Sequence, residues 1–178
     1  MPNITCGIVA YWLCPAEPAG SHFCGIISDL AGRFDAPVFE PHVTIYVANG
    51  GSESPAAILA QLVKGREPYR LFVRGVEYSD KYTKTLFVQL APDAELALLS
   101  EDLRRASDSP GDYQLNPHIS LLYKTMDEET KRRLAASIIL PFTAVNFSRV
   151  KAVLSPAEIK SRADVETWRV IAECSLTA

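Results

Sequence analysis

Apolar residues along the chain follow two spacings, one typical of strands and one typical of helices. Clusters of β-branched and aromatic residues bounded by turn-forming residues predict strands at residues 4–13, 43–47, 69–78, 85–90, 118–123, 145–154 and 167–176. Apolar residues that recur every three or four positions predict helices at residues 21–34, 54–64, 93–106 and 127–138. Each half of the chain is therefore predicted to run strand, helix, strand, helix, strand, and one further strand follows.

This repeated order predicts an α+β fold of two similar lobes, each with an antiparallel-rich sheet and helices outside. No shift in composition marks a linker, so we expect a single domain over residues 1–178 with an internal duplication, in approximate halves 1–84 and 85–178. The last strand could pair beside the first strand and close the first lobe. Ser21 is a plausible cap of the first helix, and the polar loop at 155–165 is long enough to cover a site.

Composition narrows the class of protein. The 178 residues are 48% hydrophobic and 22% charged, which is ordinary for a globular protein. The net charge of −3 disfavours long nucleic acid as a partner, whereas a small phosphate ligand remains compatible with it. The start of the chain does not resemble a signal peptide, and no stretch approaches the roughly 18 apolar residues of a membrane span. We therefore expect a cytoplasmic protein with no membrane contact. We also expect a monomer.

The cysteines do not indicate a metal site. Cys6, Cys14, Cys24 and Cys174 form no C-x-x-C pair, and the chain has only 3 histidines. We expect no metal, no cofactor and reduced thiols. A Cys6–Cys174 pair stays open in case the terminal strands are neighbours.

Two of the histidines stand in nearly identical motifs. PHVTI occupies residues 41–45 and PHISL occupies residues 117–121, each at the start of the second predicted strand of its half. In both motifs a proline precedes the histidine, and a β-branched, a hydroxyl and an aliphatic residue follow it. A tyrosine comes shortly after each motif, at Tyr46 and Tyr123.

Strand geometry predicts which of these side chains point together, because alternate residues of a strand share a face. We expect His42 and Thr44, with Tyr46, to share one face, and His118 and Ser120 to share another. The residues between them should point into apolar packing: Val43, Ile45 and Val47 in the first strand, and Ile119 and Leu121 in the second.

Two such faces across a cleft suit the hydrolysis of a cyclic phosphate. Histidine has an unperturbed pKa of about 6.5, so one neutral imidazole could activate water while a protonated imidazole gives a proton to the departing sugar oxygen. Thr44 and Ser120 could hydrogen-bond the non-bridging oxygens, and no metal is required. A single histidine in a strand is more often structural, but its duplication with a hydroxyl partner favours catalysis. The motifs do not assign acid and base.

The paired H-x-[ST]-aliphatic motifs resemble those of the two-histidine phosphoesterase superfamily. Within it, the chain is most similar to the cyclic phosphodiesterases related to the plant and yeast enzymes that metabolise by-products of transfer-RNA splicing. Residues 11–15 resemble the aromatic-Trp-x-x-Pro start of that branch, and residues 118–123 resemble its H-x-S-L-x-Y motif. The resemblance covers essentially the whole chain.

The resemblance implies a bilobal fold with the active-site groove between the lobes, and a small cyclic-phosphate nucleotide as substrate. ADP-ribose 1″,2″-cyclic phosphate would be hydrolysed to ADP-ribose 1″-phosphate, and nucleoside 2′,3′-cyclic phosphates to 2′-phosphates. The residues carried over are His42 and His118 as catalytic groups, Thr44, Ser120 and Tyr123 as phosphate contacts, and Trp12 as a surface for base stacking. A core position is an equal alternative for Trp12.

Two other functions stay open. Some members of the superfamily join or cleave 2′–5′ RNA linkages. The negative net charge argues only weakly against this activity. A module that binds nucleotides without catalysis would keep the same groove.

Away from the motifs, we expect His22 to be an exposed or capping residue of the first helix. Residues 81–84, which include Lys81 and Lys84, should form a solvated loop that could touch a phosphate.

Overall fold

The computed structural model describes residues 7–49, 54–107 and 111–177. Strands and helices alternate in these residues in the order β1 (Ile8–Pro15), α1 (Ala19–Phe34), β2 (Val43–Asn49), α2 (Pro55–Leu62), β3 (Tyr69–Tyr78), β4 (Leu86–Leu90), α3 (Ala94–Ala106), β5 (His118–Leu122), α4 (Glu128–Ser137), β6 (Ala144–Ser155), α5 (Arg162–Glu166) and β7 (Arg169–Ser175). A single turn of 3-10 helix, Tyr82–Lys84, precedes β4. The α+β class and the predicted sequence of strands and helices are confirmed.

The short helix α5 was not predicted. It begins after Ser161, whose hydroxyl accepts from the backbone N–H of Asp164, while the Asp164 carboxylate accepts from the Ser161 N–H in a capping box. Five residues give too little hydrophobic periodicity to stand out within a polar loop. Residues 4–6 of the first predicted strand, the glycine pair at 50–51, and residues 108–110 lie outside the described residues.

Strand β6 is shared by both lobes of the antiparallel sheet. One edge of β6 pairs with β1 along its length, from Ile8 opposite Ser155 to Pro15 opposite Phe147. The other edge pairs first with β3, up to Tyr69 opposite Phe147, and then with β7. The first lobe is thus β2, β1, the later part of β6, and β7, and the second lobe is β5, β4, β3 and the start of β6.

The predicted pairing of the last strand with the first is wrong. β7 pairs with β6, and β1 is already bonded on both edges, to β2 and to β6. The free hydrogen-bonding edge is the one that β3 leaves on β6 after residue 147, and β7 completes it from residue 149 onwards. The two terminal strands are therefore separated by β6.

The main core lies between the helices and one face of the sheet. The predicted stripe of α3, Leu96, Leu99 and Leu103, is fully buried in it. On the opposite face of the first lobe, Ala10, Trp12, Cys14 and Val153 form a smaller buried cluster. Because residues 10, 12 and 14 alternate with core residues along β1, one face of this strand is left for the groove.

Two predictions for α1 are wrong. The helix begins at Ala19 after Pro18, so Ser21 lies within the first turn, and its backbone N–H donates to the Glu17 carboxylate at 3.1 Å. His22 is half-buried rather than exposed or capping. Its ring lies edge-on to Phe142 at 5.1 Å, and its Nε2 is buried with no hydrogen-bond partner among the described residues. Both residues were misassigned because the helix starts at Ala19, two residues before the predicted start at residue 21.

The described helices include none that combines the length and the apolar character required to cross a membrane.

Candidate active site

Strand β2 carries a one-residue bulge directly after Thr44. Trp12 of β1 lies opposite Thr44, and the next residue back, Tyr11, lies opposite Tyr46, so Ile45 is the extra residue. Tyr46 is consequently turned into the core at 1% exposure, whereas Val47 lines the groove. The predicted faces of Tyr46 and Val47 are therefore wrong, because strict alternation does not survive a bulge.

Strand β5 repeats this bulge at the equivalent position. Phe87 of β4 lies opposite Ser120, and Leu86 lies opposite Leu122, so Leu121 is the extra residue. Leu121 and Leu122 are both buried in the core, and Tyr123 reaches the groove. The bulge thus places the fifth residue after each histidine in the groove, a valine in the first lobe and a tyrosine in the second.

A buried serine hydrogen-bonds the extra residue of the β2 bulge. The carbonyl of Ile45 accepts a hydrogen bond from the Ser100 hydroxyl of α3 at 2.8 Å. A buried carbonyl without a hydrogen-bond partner would lower the free energy of unfolding. Ser100 therefore stabilises the irregular backbone that sets the direction of the groove residues.

The two motif histidines are held by the same contact. The Nδ1 of His42 lies 2.7 Å from the carbonyl oxygen of Glu40, and the Nδ1 of His118 lies 2.6 Å from that of Asn116. A carbonyl oxygen can only accept, so Nδ1 carries the hydrogen in each ring. This tautomer leaves Nε2 of each imidazole available for proton transfer.

One groove of about 340 Å³ collects every site residue predicted from the sequence. His42, Thr44 and Trp12 line it from the first lobe, and His118, Ser120 and Tyr123 line it from the second: the sequence placed these six residues in one site and the structure brings them together. The predicted loop at 155–165 contributes Ser155 and Ile159 to the lining, and Trp168 follows it.

Burial lowers the pKa of both imidazoles. His42 is 7% exposed, and its burial, with a smaller contribution from the charge of His118, lowers its pKa to about 4. Burial also lowers the pKa of His118, assisted by the charges of Lys84 and Lys81. The hydrogen bonds to the backbone carbonyls oppose both shifts. Both rings therefore favour the neutral form at neutral pH, and a nearby phosphate anion would raise both pKa values.

Trp12 supports His42 within the groove. Its indole lies parallel to the imidazole, with ring centroids 3.7 Å apart and an angle of 9° between the planes. Trp168 contacts the indole edge-on at 5.0 Å. Trp12 is only 5% exposed, so it offers little surface for stacking with a nucleobase. Its geometry is that of a positioning residue for His42.

An ion pair fixes the segment that holds His42. The Lys151 ammonium lies 2.7 and 2.8 Å from the two carboxylate oxygens of Glu40, the residue whose carbonyl accepts from His42. Lys151 is buried, and Glu173 lies 3.6 Å away on β7. Burial acts to lower the Lys151 pKa, but the hydrogen bond with Glu40 and the nearby negative charges raise it overall.

The two motif hydroxyls have different surroundings. Ser120 is buried, and its hydroxyl donates to the carbonyl of Thr83 at 2.8 Å. Burial raises the pKa of the Tyr123 phenol, and the neighbouring Ser120 side chain opposes this rise. The Thr44 hydroxyl has no hydrogen-bond partner among the described residues, although the Thr44 carbonyl accepts from Tyr113 at 2.8 Å. Thr44 is thus free to donate to a ligand, whereas Ser120 would first release Thr83.

Lys81, Thr83 and Lys84 line the groove next to His118, so the segment expected to be a solvated loop is part of the site. The pairing of β4 with β5 brings the preceding turn beside His118, and the bond from Ser120 to Thr83 holds it there. The sequence signal was weak, since two lysines in a polar connection are ordinary. Their spacing of three residues within one helical turn was the usable indication.

The described cysteines and potential metal ligands add no further catalytic or metal-binding group to the site. Within the described ranges, no group of three His, Cys, Asp or Glu side chains could hold a metal ion. The described cysteines Cys14, Cys24 and Cys174 are free thiols. The possible pairing of Cys174 with Cys6 lies outside the described residues. Burial, with the nearby charge of Glu40, raises the pKa of Cys14 to about 12, so its thiolate is disfavoured.

The sequence is similar to that of a curated cyclic phosphodiesterase, and the fold is similar to those of solved bacterial proteins. The chain is 23% identical over 180 residues to a cyclic phosphodiesterase of Arabidopsis thaliana, covering 99% of each protein. The fold superposes on TT0787 of Thermus thermophilus with a TM-score of 0.62 at 18% identity, over 95% of this chain and 97% of that one. It superposes on E. coli LigT in its apo form with a TM-score of 0.60 at 13% identity, over 97% and 98%.

Family membership follows from the extent of the match along the chain. Residues 28–155 match the 2′-5′ RNA ligase superfamily, a range that contains both histidine motifs and both bulged strands. The chain belongs to this superfamily of two-histidine phosphoesterases.

Proposed function

We propose that the protein is a cyclic phosphodiesterase that hydrolyses small cyclic phosphates without a metal ion. The observation that carries the proposal is the duplicated contact of the two histidines. Each imidazole donates Nδ1–H to the carbonyl two residues before it, and both rings line one groove. Two imidazoles with available Nε2 atoms can together accept one proton and donate another. Both come from one chain, so a monomer would suffice.

The reaction needs one imidazole neutral and the other protonated. A cyclic phosphate monoanion beside the rings would stabilise one imidazolium and raise its pKa. The neutral ring would take a proton from the attacking water, and the imidazolium would protonate the sugar oxygen as the phosphorus–oxygen bond of the ring breaks. Thr44 would donate to a non-bridging oxygen, with Ser120 and Tyr123 as a second contact.

The proposed substrates are ribose cyclic phosphates of nucleotide size. ADP-ribose 1″,2″-cyclic phosphate would give ADP-ribose 1″-phosphate, and nucleoside 2′,3′-cyclic phosphates would give 2′-phosphates. Similarity to the Arabidopsis cyclic phosphodiesterase along nearly the whole chain supports this choice. A groove of about 340 Å³ is in the range of small-ligand sites.

The test is an assay of a panel of cyclic phosphates in the presence of a chelator. We expect turnover by the unaltered protein, and a loss of about 10²–10⁴ in rate for His42→Ala and for His118→Ala. His22→Gln is the matched control, because His22 packs against Phe142 outside the groove and should keep full activity. Unchanged rates in both motif variants would overturn the proposal.

Two other outcomes would identify a different function. Joining or cleavage of 2′–5′ linkages in short RNA, with no turnover of cyclic nucleotides, would indicate an RNA-processing enzyme, and joining is the activity after which the superfamily is named. Tight nucleotide binding with no product from any substrate would indicate a non-catalytic binding module.

A further inference from the structure

The groove is positively charged in a protein that is negatively charged as a whole. The chain has 21 acidic residues against 18 lysines and arginines. Yet the described residues that line the groove include Lys81 and Lys84 and no aspartate or glutamate. An uneven distribution of this kind concentrates anionic ligands at the site.

Neither Lys81 nor Lys84 has a carboxylate ion-pair partner among the described residues, and both line the groove, whereas Lys64 and Lys124, which also lack such a partner, lie outside it. The ammonium groups of Lys131, Lys151 and Lys160 pair with Asp80, Glu40 and Glu158, respectively. The Lys84 ammonium instead lies 4.2 Å from the centroid of the Phe87 ring. Burial and the charge of Lys81 lower the pKa of Lys84, and the charge of Glu77 opposes this shift only in part. An anion between these lysines would relieve that unfavourable proximity.

The turn that carries the two lysines is fixed in place. The Lys84 N–H donates to the Lys81 carbonyl at 2.9 Å. The Thr85 hydroxyl, directly after the turn, contacts the carbonyls of Tyr82 and Lys124, each at 2.9 Å. Ser120 ties Thr83 to β5. The ammonium groups therefore extend from a preorganised backbone, which reduces the entropy lost on binding.

The reacting phosphate does not account for both lysines. A cyclic phosphate carries one negative charge, and the two imidazoles with Thr44 already provide for it. Two unpaired ammonium groups suit an additional phosphate, either a terminal monoester or a diphosphate linkage, which carries about two negative charges.

We propose that Lys81 and Lys84 bind a second phosphate group of the substrate, so that the protein prefers cyclic phosphates that carry another phosphate. This inference rests on the proposed function and names its substrate class more closely. The favoured substrates would be nucleoside cyclic phosphates with a 5′-phosphate or a diphosphate-linked group, in preference to nucleosides whose only phosphate is the cyclic one.

The first experiment compares kcat/KM for adenosine 2′,3′-cyclic phosphate with and without a 5′-phosphate. We expect the unaltered protein to prefer the 5′-phosphorylated substrate by about tenfold or more, since charge-assisted contacts have this size. In Lys81→Gln with Lys84→Gln, the ratio of the two kcat/KM values should fall towards one. Lys64→Gln is the control, because Lys64 is exposed and does not line the groove.

The second experiment measures binding and does not require turnover. Adenosine 2′,5′-bisphosphate should bind about tenfold more tightly than adenosine 2′-phosphate, and the double variant should lose this difference. Binding that shows the difference in a protein without turnover would reject the proposed function and keep the second-phosphate site. Equal affinities in the unaltered protein, or a ratio that the lysine substitutions leave unchanged, would overturn the inference and leave the proposed function standing.

Discussion

The imidazole of His42 lies flat against the indole of Trp12, with 3.7 Å between ring centroids and 9° between ring planes. Trp12 also lies opposite Thr44 across the β1–β2 pair, so it is next to both the histidine and its hydroxyl partner. The remaining edge of the cluster is formed by Trp168, whose Nε1 donates to the Ser155 hydroxyl at 2.9 Å. This contact connects the loop before β7 with the position of His42.

Removing the stacking surface should impair catalysis more than folding. We expect Trp12→Leu to lower kcat by about tenfold, because the stacked pair contributes about 0.5–1.5 kcal/mol and fixes the ring plane. Trp12→Phe keeps an aromatic face and should lose less. Steady-state kinetics and thermal unfolding of both variants check this. A Trp12→Leu protein that unfolds at a lower temperature but keeps its kcat would show that Trp12 serves the core alone.

The pH dependence of activity should reflect the lowered pKa values of the imidazoles. kcat/KM reports the free enzyme, in which the pKa of His42 is about 4 and that of His118 is below its ordinary value. One imidazole must be protonated, so we expect the optimum of kcat/KM to lie below pH 6.5. The optimum of kcat should lie at higher pH, because bound phosphate favours the imidazolium. A kcat/KM optimum above pH 7.5 would contradict the assignment.

His42 should also make stability depend on pH. Its pKa falls from an ordinary value of 6.5 to about 4 on folding, so between these pH values the unfolded chain binds more protons than the folded one. Stability is therefore fully present above pH 6.5 and is lost as the pH falls towards 4, by roughly 3 kcal/mol. Urea unfolding at pH 7 and at pH 4.5 should show a smaller decrease for His42→Asn than for the unaltered protein. Equal decreases would indicate that His42 titrates normally when folded.

The bulge of β2 is stabilised by the hydrogen bond from Ser100 to the Ile45 carbonyl. Ser100→Ala leaves the buried carbonyl of Ile45 without its partner, and we expect a loss of about 1–3 kcal/mol in the free energy of unfolding. Ser28→Ala is the matched control, since Ser28 is an exposed residue of α1 and should change stability little. Chemical unfolding of both variants decides the point. A Ser100→Ala protein as stable as the control would mean that the bulge tolerates an unpaired carbonyl.

Local patterns were sufficient for most of the secondary structure and for the six predicted site residues. The strands and longer helices follow the periodicity of apolar residues, and Asp93 and Asp127 cap α3 and α4 through their side chains, at the positions where those helices were predicted to start. The site residues were identified because a P-H-x-hydroxyl pattern occurs twice. Both are properties of neighbouring residues, which is why they can be read without knowledge of the fold.

Long-range pairing explains the residues that were misplaced. The side of Tyr46 and Val47 depends on a bulge, and a bulge is defined only by the register with a partner strand. The position of β7 depends on which edge of β6 remains unpaired. Lys81 and Lys84 become groove residues only because β4 pairs with β5. The bulge and the position of β7 leave no signal in the surrounding sequence, and the two lysines leave only the weak one of their three-residue spacing.

The sequence by itself determined which side chains we propose to carry the chemistry of this protein, because the duplication of PHVTI and PHISL is local and does not depend on how the strands pair. The tertiary structure alone decided their environment. Burial lowers the pKa of His42, the Ser120 hydroxyl donates to the Thr83 carbonyl, and strand pairing brings two lysines without a carboxylate partner among the described residues beside His118. Proton affinity and charge balance arise from residues distant in the chain, and only folding brings those residues together.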